Sequence, residues 1–279
     1  MTNNVLLQEL ERYSINTIED IKNTLREISQ KIILSGLARG KIFDHVVFYG
    51  GTSLRLLHNL DRFSEDIDFT LIKENKEFEF EKYLKFAVNE MNSFGLNATM
   101  SIKEKNIETS ILTGYIKFNL FDAIKLCFNN ENFNVNKEEN ISIKVEVETK
   151  INKGFNLEYK TILFPSFFKV LTFDFSTLFS SKLIAILNRS WKNRVKGRDY
   201  FDFLFYITNQ VSPNYKYLSN GLGLESINRE ELKKLLIQKF NDVDFNLVLK
   251  DIYPFVQKDS RFLPLFKKDT FIDLVNEIK

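Results

Sequence analysis

Hydrophobic residues recur at helical spacing over residues 17–39, near the start of the chain. The apolar positions of this face are Ile18, Ile21, Leu25, Ile28 and Ile32. Thr17 is placed to cap the helix because Asp20 follows three residues later, and Gly40 is placed to end it. The pattern predicts one long amphipathic helix.

A buried strand is predicted next, followed by a glycine pair and a short helix. IFDHVVFYG is an apolar run of the kind that forms a buried strand, and it ends at Gly50 and Gly51. TSLRLLHNL then carries leucines at helical spacing. We therefore expect the chain to pass from strand to helix through the two glycines.

The segment EDIDFTLI alternates between polar and apolar residues. In a strand this pattern places Asp66, Asp68 and Thr70 on one face and the apolar residues on the other. A second strand with one acidic face is therefore predicted directly after the short helix.

The remaining segments first mix helix and strands and then become mostly helical. A helix is predicted over 78–94, and strands are predicted at 97–104, 111–120, 141–149 and 157–164. After Pro165 the predicted helices are 176–189, 198–209, 229–240 and a stretch from 269. The order predicts an α+β fold with a mixed sheet flanked by helices in residues 1–165, followed by a mostly helical lobe in residues 166–279.

The amino-acid composition excludes some classes of functional site. The 279 residues carry a net charge of only +2, so a nucleic-acid site would have to be a local basic surface. Cys127 is the only cysteine, which excludes an internal disulfide, and two histidines make a histidine-based zinc site or triad improbable. No signal-peptide pattern and no apolar run of about 20 residues is found, so we expect a cytoplasmic protein.

The glycine pair and the residues after it have the composition of a phosphate-binding turn. Gly50 and Gly51 allow the backbone to approach an anion, and Thr52 and Ser53 add hydroxyl groups at a helix N-terminus. The spacing and the lysine of a Walker loop are missing.

Asp66 and Asp68 are suited to hold a divalent cation. Two residues apart on one strand, their Cα atoms lie roughly 6–7 Å apart, and magnesium prefers oxygen ligands. An isolated pair of this kind is usually a solvent-facing strand edge, but the preceding glycine turn favours the metal site.

In ISIKVEVETK, Lys144, Glu146 and Glu148 share a face, and Glu146 would supply a third carboxylate if this strand lies beside the first. Alone, it would be an ordinary amphipathic strand.

A basic cluster lies in SKLIAILNRSWKNRVKGRDYFDF. Five basic residues and no acidic one occur from Arg189 to Arg198, a pattern that fits a solvated face or, less often, a phosphate or RNA surface. Lys182 begins an otherwise apolar helix, so its side chain could reach solvent or a triphosphate. Asp199 and Asp202 share one helix face, and their alternative role is to form ion pairs with Arg194 or Arg198.

Together these segments resemble the AbiEii/MenT nucleotidyltransferase-like toxins, members of the DNA polymerase β-type nucleotidyltransferase superfamily. GGTSLRLLHNLDRFSEDIDF is similar to the first motif of this family, and IKVEV resembles the second. SKLIAILNR and KGRDYFDF resemble the later motifs, a helix lysine and an R-D-x-x-D. The similarity runs in the family's order over about residues 48–207.

The resemblance implies a role for each matching position. Metal ligands would be Asp66, Asp68 and Glu146. Catalytic residues would be Asp66, Asp68, Lys182 and Asp199, with Glu146 and Asp202 as further candidates. Nucleotide and phosphate contacts would come from Gly50, Gly51, Thr52, Ser53, Arg55, Ser64, Lys182 and Arg198. Which of Asp199 and Asp202 is catalytic stays open. Two positions depart from the superfamily pattern: Thr52 follows the glycines where serine is usual, and the third acid is Glu146 where many members have Asp.

The resemblance also implies an activity and partners. A nucleoside monophosphate would be transferred from an NTP to the 3′ end of tRNA with Mg²⁺ or Mn²⁺, which blocks translation. A winged-helix antitoxin encoded nearby and a role in abortive phage infection are further expectations, and the helical lobe would complete the active-site cleft. Two other functions stay open: nucleotidylation of a protein hydroxyl, and NTP binding without catalysis. The aromatic residues of the helical lobe are expected to form core: Tyr200, Phe201, Phe203, Phe205 and Tyr206.

Overall fold

The computed structural model describes residues 2–103, 110–128, 135–189, 196–256, 260 and 262–279. The chain forms two compact units. The first, here the sheet unit, comprises Met1–Leu57, Ser64–Ile151 and Tyr159–Thr172. The second, here the helical unit, comprises His58–Phe63, Asn152–Glu158 and Phe173–Lys279. The predicted division at residue 165 stays a prediction.

The described residues form a seven-stranded mixed sheet. Its strands are β1 (Val46–Tyr49), β2 (Ile67–Leu71), β3 (Thr99–Ile102), β4 (Ile111–Asn119), β5 (Asn140–Glu148), β6 (Leu157–Ile162) and β7 (Phe168–Phe173). Their order is β3-β4-β5-β2-β1-β7-β6. β2 is parallel to β5 and antiparallel to β1, so the strand that carries Asp68 lies in the middle of the sheet. The predicted α+β fold is confirmed.

Helices flank the sheet and make up most of the later chain. They are α1 (Thr2–Leu10), α2 (Ile18–Arg39), α3 (Gly50–His58), α4 (Phe80–Ser93), α5 (Leu120–Cys127), α6 (Phe175–Asn188), α7 (Gly197–Thr208), α8 (Tyr215–Leu222), α9 (Arg229–Asn241), α10 (Phe245–Ile252) and α11 (Lys268–Asn276). Short 3-10 turns are Ile42–Asp44, Tyr253–Phe255 and Leu263–Leu265. None of the helices in these described segments is long and apolar enough to cross a membrane.

The start of α2 follows the sequence prediction. Thr17 accepts a hydrogen bond from the Asp20 amide, and the Asp20 carboxylate accepts one from the Thr17 amide, which completes a capping box. The predicted apolar positions Ile21, Leu25 and Ile32 are buried. α2 contacts α4 and β5, so this helix covers part of one face of the sheet.

Strand β5 separates a buried face from a polar face. Ile141, Ile143, Val145 and Val147 are buried, and the residues between them are exposed or half-buried. Apolar burial of this kind is worth about 25 cal/mol per Å², so the alternation fixes which side chains of β5 face away from the core.

The core of the helical unit is aromatic. Within this unit, α6 contacts α7 and α8, α7 contacts α10, and α9 contacts α11. The residues expected to form core are all buried: Tyr200, Phe201, Phe203, Phe205 and Tyr206. Tyr200 packs edge-on against Phe271, with ring centroids 5.8 Å apart. The core prediction is confirmed.

Strand β7 lies where the sequence predicted mostly helix. Phe48 in β1 pairs with Thr172 in β7, and the Thr172 hydroxyl donates to the Phe48 carbonyl. The last four residues of β7 are all buried, so the strand lacks the alternation that marks a half-exposed strand. The short helices α1, α5, α8 and α10 were also not predicted, because eight or nine residues give a weak periodic pattern.

Candidate active site

An acidic face of the sheet unit is formed by β2 and β5. The strands run parallel, with Asp68 opposite Glu146 and Ile67 opposite Val145. Asp66 immediately precedes β2. The side chains of Asp66 and Glu146 are 28% and 25% exposed, so a ligand can reach them. The expectation that the two strands lie side by side is confirmed.

Lys144 contributes a positive charge to this acidic face. Its Nζ lies 2.9 Å from Glu146 Oε2 and 3.4 Å from Asp66 Oδ2. Burial lowers the pKa of Lys144, but the hydrogen bond with Glu146 and the charge of Asp66 outweigh this effect, so the pKa lies above its usual value. The alternation along ISIKVEVETK predicts Lys144 on this face but predicts no role for it.

Thr113 orients Glu146 from the other side. This residue lies in β4, which is antiparallel to β5, and it pairs directly with Glu146. The Thr113 hydroxyl donates to Glu146 Oε1 over 3.2 Å. Each oxygen of the Glu146 carboxylate therefore has its own partner, one on β4 and the other on β5 itself.

The acidic face has the donor chemistry of a magnesium site. Carboxylate oxygens are the hard ligands that Mg²⁺ prefers. Among the described residues, no three acidic, histidine or cysteine side chains converge as they would around a bound ion. Instead, the Lys144 ammonium contacts Asp66 and Glu146, so this place already attracts a cation. The chemistry of these donors fits a hard divalent cation.

Gly50 allows the acidic face and the start of α3 to approach each other. This glycine has a φ of +83°, a conformation that side-chain-bearing residues seldom adopt. A Cβ atom here would collide with the Asp68 carboxylate. A glycine therefore precedes the two aspartates for two reasons: its positive φ and the space that Asp68 occupies.

Thr52 and Ser53 are fully buried at the start of α3. The Thr52 hydroxyl donates to the backbone carbonyl of Asp66, and the Ser53 hydroxyl donates to the carbonyl of Gly50. The Thr52 hydroxyl thus links the start of α3 to the residue before β2, whereas the Ser53 hydroxyl bonds within the turn itself. The predicted contacts of Gly50, Thr52 and Ser53 with phosphate stay a prediction, as do those of Gly51.

Two other predicted nucleotide contacts lie beside α2. Arg55 Nε donates to Glu27 Oε2 over 2.7 Å. Ser64 is buried, and its carbonyl accepts a hydrogen bond from the Gln30 side chain. Both positions belong to the sheet unit, and their role toward a nucleotide stays a prediction.

Lys182 lies in a buried ion cluster of the helical unit. Its Nζ is 2.9 Å from Asp199 Oδ1 and 2.8 Å from Asp202 Oδ2, and its side chain is only 13% exposed. Burial lowers the pKa of Lys182, but the two aspartates outweigh this effect and raise the pKa above its usual value. The lysine side chain is therefore held at the carboxylates and does not extend to solvent.

Arg62 pairs with Asp202 at the centre of the cluster. Arg62 Nε and Nη2 each donate to one oxygen of the Asp202 carboxylate over 2.7 Å. Burial raises the pKa of Asp202, but the charges of Arg62 and Lys182 outweigh it and hold the pKa below its usual range. Arg62 was not predicted as a site residue, although it lies in DRFSEDIDF, the segment that also contains Asp66 and Asp68.

Asp199 is held by Lys182 and by Arg189, whose Nη1 lies 3.0 Å from Asp199 Oδ2. Burial raises the pKa of Asp199, but these neighbouring cations outweigh it and lower the pKa. Burial lowers the pKa of Lys196, a shift that Asp199 opposes and nearby cations reinforce. Among the described residues, four cations therefore surround two carboxylates: Arg62, Lys182, Arg189 and Lys196.

The basic segment is described at its two ends. The Arg198 guanidinium stacks on the Phe255 ring, 4.3 Å from its centroid. Lys192 and Arg194 lie outside the described residues, as does the suggested ion pair of Arg194. Residues 197–199 begin α7, where Gly197 lies so close to α10 that a Cβ would meet the Val248 carbonyl. The expected cleft between the acidic face and the Lys182 cluster stays a prediction.

The family model described as "Nucleotidyl transferase AbiEii toxin, Type IV TA system" matches residues 32–268, which is most of the chain. The chain belongs to the AbiEii family. Every candidate site residue described above lies inside the matched range. The AbiEii chain is therefore a nucleotidyltransferase that belongs to a toxin family of type IV toxin–antitoxin systems, and this membership implies an NTP substrate and an antitoxin partner.

Two solved structures from Helicobacter pylori are similar to this AbiEii chain. One is described as a candidate nucleotidyltransferase; it is 18% identical, with a TM-score of 0.49, over 90% of this chain and 91% of the other. The other is JHP933, also 18% identical with a TM-score of 0.49, over 91% of this chain and 89% of the other. No curated protein is similar enough in sequence to be matched with the chain.

Proposed function

We propose that this AbiEii-family enzyme uses Mg²⁺ to transfer a nucleoside monophosphate from an NTP to the 3′ end of tRNA, which stops translation. The observation that carries the proposal is the acidic face of the sheet unit. There Asp68 lies opposite Glu146 on the neighbouring strand, and Asp66 precedes it by two residues. A cationic group already contacts two of these carboxylates.

The reaction forms one bond and breaks one. The acceptor hydroxyl oxygen attacks the α-phosphorus, the bond from this phosphorus to the β-phosphate oxygen breaks, and pyrophosphate leaves. The hydroxyl proton passes to a carboxylate or to water. Asp66, Asp68 and Glu146 would hold Mg²⁺, which would neutralise phosphate charge and favour the ionised hydroxyl.

The cation-rich cluster of the helical unit supports phosphate binding. Arg62 is paired with Asp202, and Lys182 is shared between Asp202 and Asp199, which leaves the positive charges in excess. Arg189 and Lys196 supply that excess next to Asp199. An anionic substrate would balance this excess of positive charge, because charge removed from water is costly unless it is compensated. Lys182 is assigned to the nucleotide on this basis.

The contacts of the two aspartates suggest different roles. Asp202 has no exposed side-chain surface, and its carboxylate binds Arg62 and Lys182. Asp199 has a partner, Arg189, that is 32% exposed and could turn toward a substrate. We therefore assign Asp199 to catalysis and Asp202 to holding the cluster together.

A transfer assay tests the function. The enzyme is incubated with Mg²⁺ and each radiolabelled NTP in turn, with total tRNA or total cell protein as acceptor. Label in RNA that disappears with Asp66→Ala is expected. Label found only in protein would favour nucleotidylation of a protein hydroxyl, and no label in either acceptor would favour a non-catalytic NTP-binding protein.

Two controls sharpen this assay. Glu148→Gln removes a carboxylate from the same strand face, one alternation beyond Glu146, and should leave transfer intact, whereas Glu146→Gln should abolish it. Periodate oxidation of the tRNA destroys its terminal ribose diol. If the acceptor is the 3′ end, oxidised tRNA takes up no label; labelling of oxidised tRNA would contradict that assignment.

The RNA acceptor and the antitoxin have separate tests. Binding of tRNA through the basic segment 189–198 should weaken steeply as salt rises. Expression of the enzyme should arrest growth and phage propagation, and Asp68→Asn should remove both effects. Co-expression of a winged-helix protein encoded nearby should relieve the arrest; failure of that relief would contradict the antitoxin assignment.

A further inference from the structure

We propose that Lys144 is an internal competitor for the catalytic cation: its ammonium holds the acidic face while no metal is bound and must leave when one binds. This inference rests on the proposed function, because it concerns the metal site of Asp66, Asp68 and Glu146. It adds that a lysine on the same strand as Glu146 regulates metal binding.

The strand register brings the ammonium to this place. Ile67 is opposite Val145 and Asp68 is opposite Glu146, so continuing the same register by one residue sets Asp66 opposite Lys144. Lys144 and Glu146 are two residues apart and share a strand face. The lysine is therefore directed at the carboxylates by the backbone itself.

The ammonium and a metal would use the same oxygen atoms. Lys144 Nζ contacts Glu146 Oε2 and Asp66 Oδ2. The other oxygen of Glu146 accepts a hydrogen bond from Thr113. Asp66 and Glu146 would also supply oxygen ligands to Mg²⁺, which prefers such donors. A divalent ion and the ammonium repel each other there, so one excludes the other.

This arrangement has a consequence for both states of the site. Without metal, the ammonium offsets the repulsion among the neighbouring carboxylates. With metal, two ion pairs of Lys144 are broken and the side chain, already 31% exposed, turns to solvent or to a bound anion. Lys144 should therefore weaken the affinity of the site for metal. Its own side chain should become more accessible to solvent when the metal binds.

Lysine acylation in the wild-type enzyme tests the displacement directly. Trace labelling followed by mass spectrometry measures the reactivity of Lys144 with and without saturating Mg²⁺. We expect Lys144 to react about fivefold faster with Mg²⁺. Lys85, whose side chain is 62% exposed and pairs with Glu81, should react equally in both conditions. An equal rate for Lys144 would overturn the proposal.

Mn²⁺ binding followed by electron paramagnetic resonance supplies the second test. Lys144→Gln should bind Mn²⁺ about tenfold more tightly than wild type, while Lys144→Arg, which keeps the charge, should not. Lys117→Gln is the matched control, because it removes a lysine from neighbouring strand β4 and should change affinity little. Unchanged or weaker binding in Lys144→Gln overturns the proposal.

The outcomes separate this inference from the enzyme's function. A wild-type protein that transfers nucleotide, and loses transfer with Asp66→Asn, keeps the proposed function even if Lys144 labelling ignores Mg²⁺. In that case only the competitor role fails. The opposite result is that wild type transfers no nucleotide while Lys144→Gln binds Mn²⁺ more tightly than wild type. In that case the competitor role stands and the proposed reaction fails.

Discussion

Arg62 and Asp202 form a buried two-bond ion pair, although 140 residues separate them in the sequence. Arg62 is 2% exposed and Asp202 is 0% exposed in their side chains. Arg62 belongs to the short segment His58–Phe63, which begins at the last residue of α3 and is part of the helical unit. The pair therefore attaches this segment to α7.

Asp202→Asn should destabilise the protein strongly. It leaves Arg62 and Lys182 buried without their shared carboxylate, and breaking a buried ion pair from one side costs about 3–5 kcal/mol. Urea unfolding of wild type and variant measures the change. A loss below about 1 kcal/mol would mean that water or a neighbour replaces the carboxylate.

Asp199→Asn should separate catalysis from stability. Its partner Arg189 is 32% exposed and can be hydrated, so the expected loss of unfolding free energy is smaller, about 1–2 kcal/mol. Nucleotide transfer should nevertheless be abolished. Folded Asp199→Asn with wild-type transfer would contradict the assignment of Asp199 to catalysis, and would make Asp202 the candidate.

The same cluster predicts a loss of stability in acid. The pKa values of Asp199 and Asp202 are lowered in the folded protein. A lowered carboxyl pKa stabilises the fold above the unfolded value of about 3.9, and this contribution disappears as pH falls through the folded value. The free energy of unfolding should therefore decrease below about pH 4.

Unfolding by urea across this pH range checks the linkage. In Asp199→Asn the slope of unfolding free energy against pH should be shallower, by up to about 1.4 kcal/mol per pH unit for one proton. The exposed residue Asp273 on α11 is the control, and Asp273→Asn should keep the wild-type slope. Identical slopes in both variants would show that protonation of Asp199 does not account for the loss of stability in acid.

The acidic face could be predicted because it depends on local patterns. The alternation of polar and apolar residues along β2, and likewise along β5, occurs in consecutive residues. The glycine turn before Asp66 is also recognised from neighbouring residues. The partner of Asp202 could not be predicted in this way, since Arg62 lies 140 residues away and no periodicity connects them. The contacts of Lys144 depend on strand register, which the sequence of one strand does not fix.

The charged residues of the helical unit predict only part of its structure. The basic segment 189–198 was visible as composition, but the structure shows Arg189 paired with Asp199. Burial decides which charges of such a segment are used inside the protein, and burial depends on tertiary packing. For the same reason β7, buried over its last four residues, was missed.

Thr52 links the glycine turn to the acidic face, and its substitution should show this. Thr52→Val removes the hydroxyl that donates to the Asp66 carbonyl, and loss of this hydrogen bond should cost about 1 kcal/mol of unfolding free energy. Transfer activity should fall because Asp66 loses its support. Thr52→Ser keeps the hydroxyl and should retain most activity. Equal activity of the valine and serine variants would contradict this role.

Gly50→Ala should abolish activity for a reason that a matched glycine can isolate. The φ of Gly50 is +83° and that of Gly223 is +69°, so alanine is strained at both positions. A Cβ at Gly50 would collide with the Asp68 carboxylate, whereas a Cβ at Gly223 meets nothing within 4 Å. Gly223→Ala should therefore lose only about 1 kcal/mol of unfolding free energy and keep transfer.

In Gly50→Ala the Asp68 carboxylate must move away from α3, so Mn²⁺ affinity should fall by at least about tenfold and nucleotide transfer should be lost. The two variants are compared by urea unfolding, Mn²⁺ binding and transfer at the same temperature. If Gly50→Ala binds Mn²⁺ like Gly223→Ala, strain at the backbone explains its effect, and the position of Asp68 beside the glycine is not what the metal site requires.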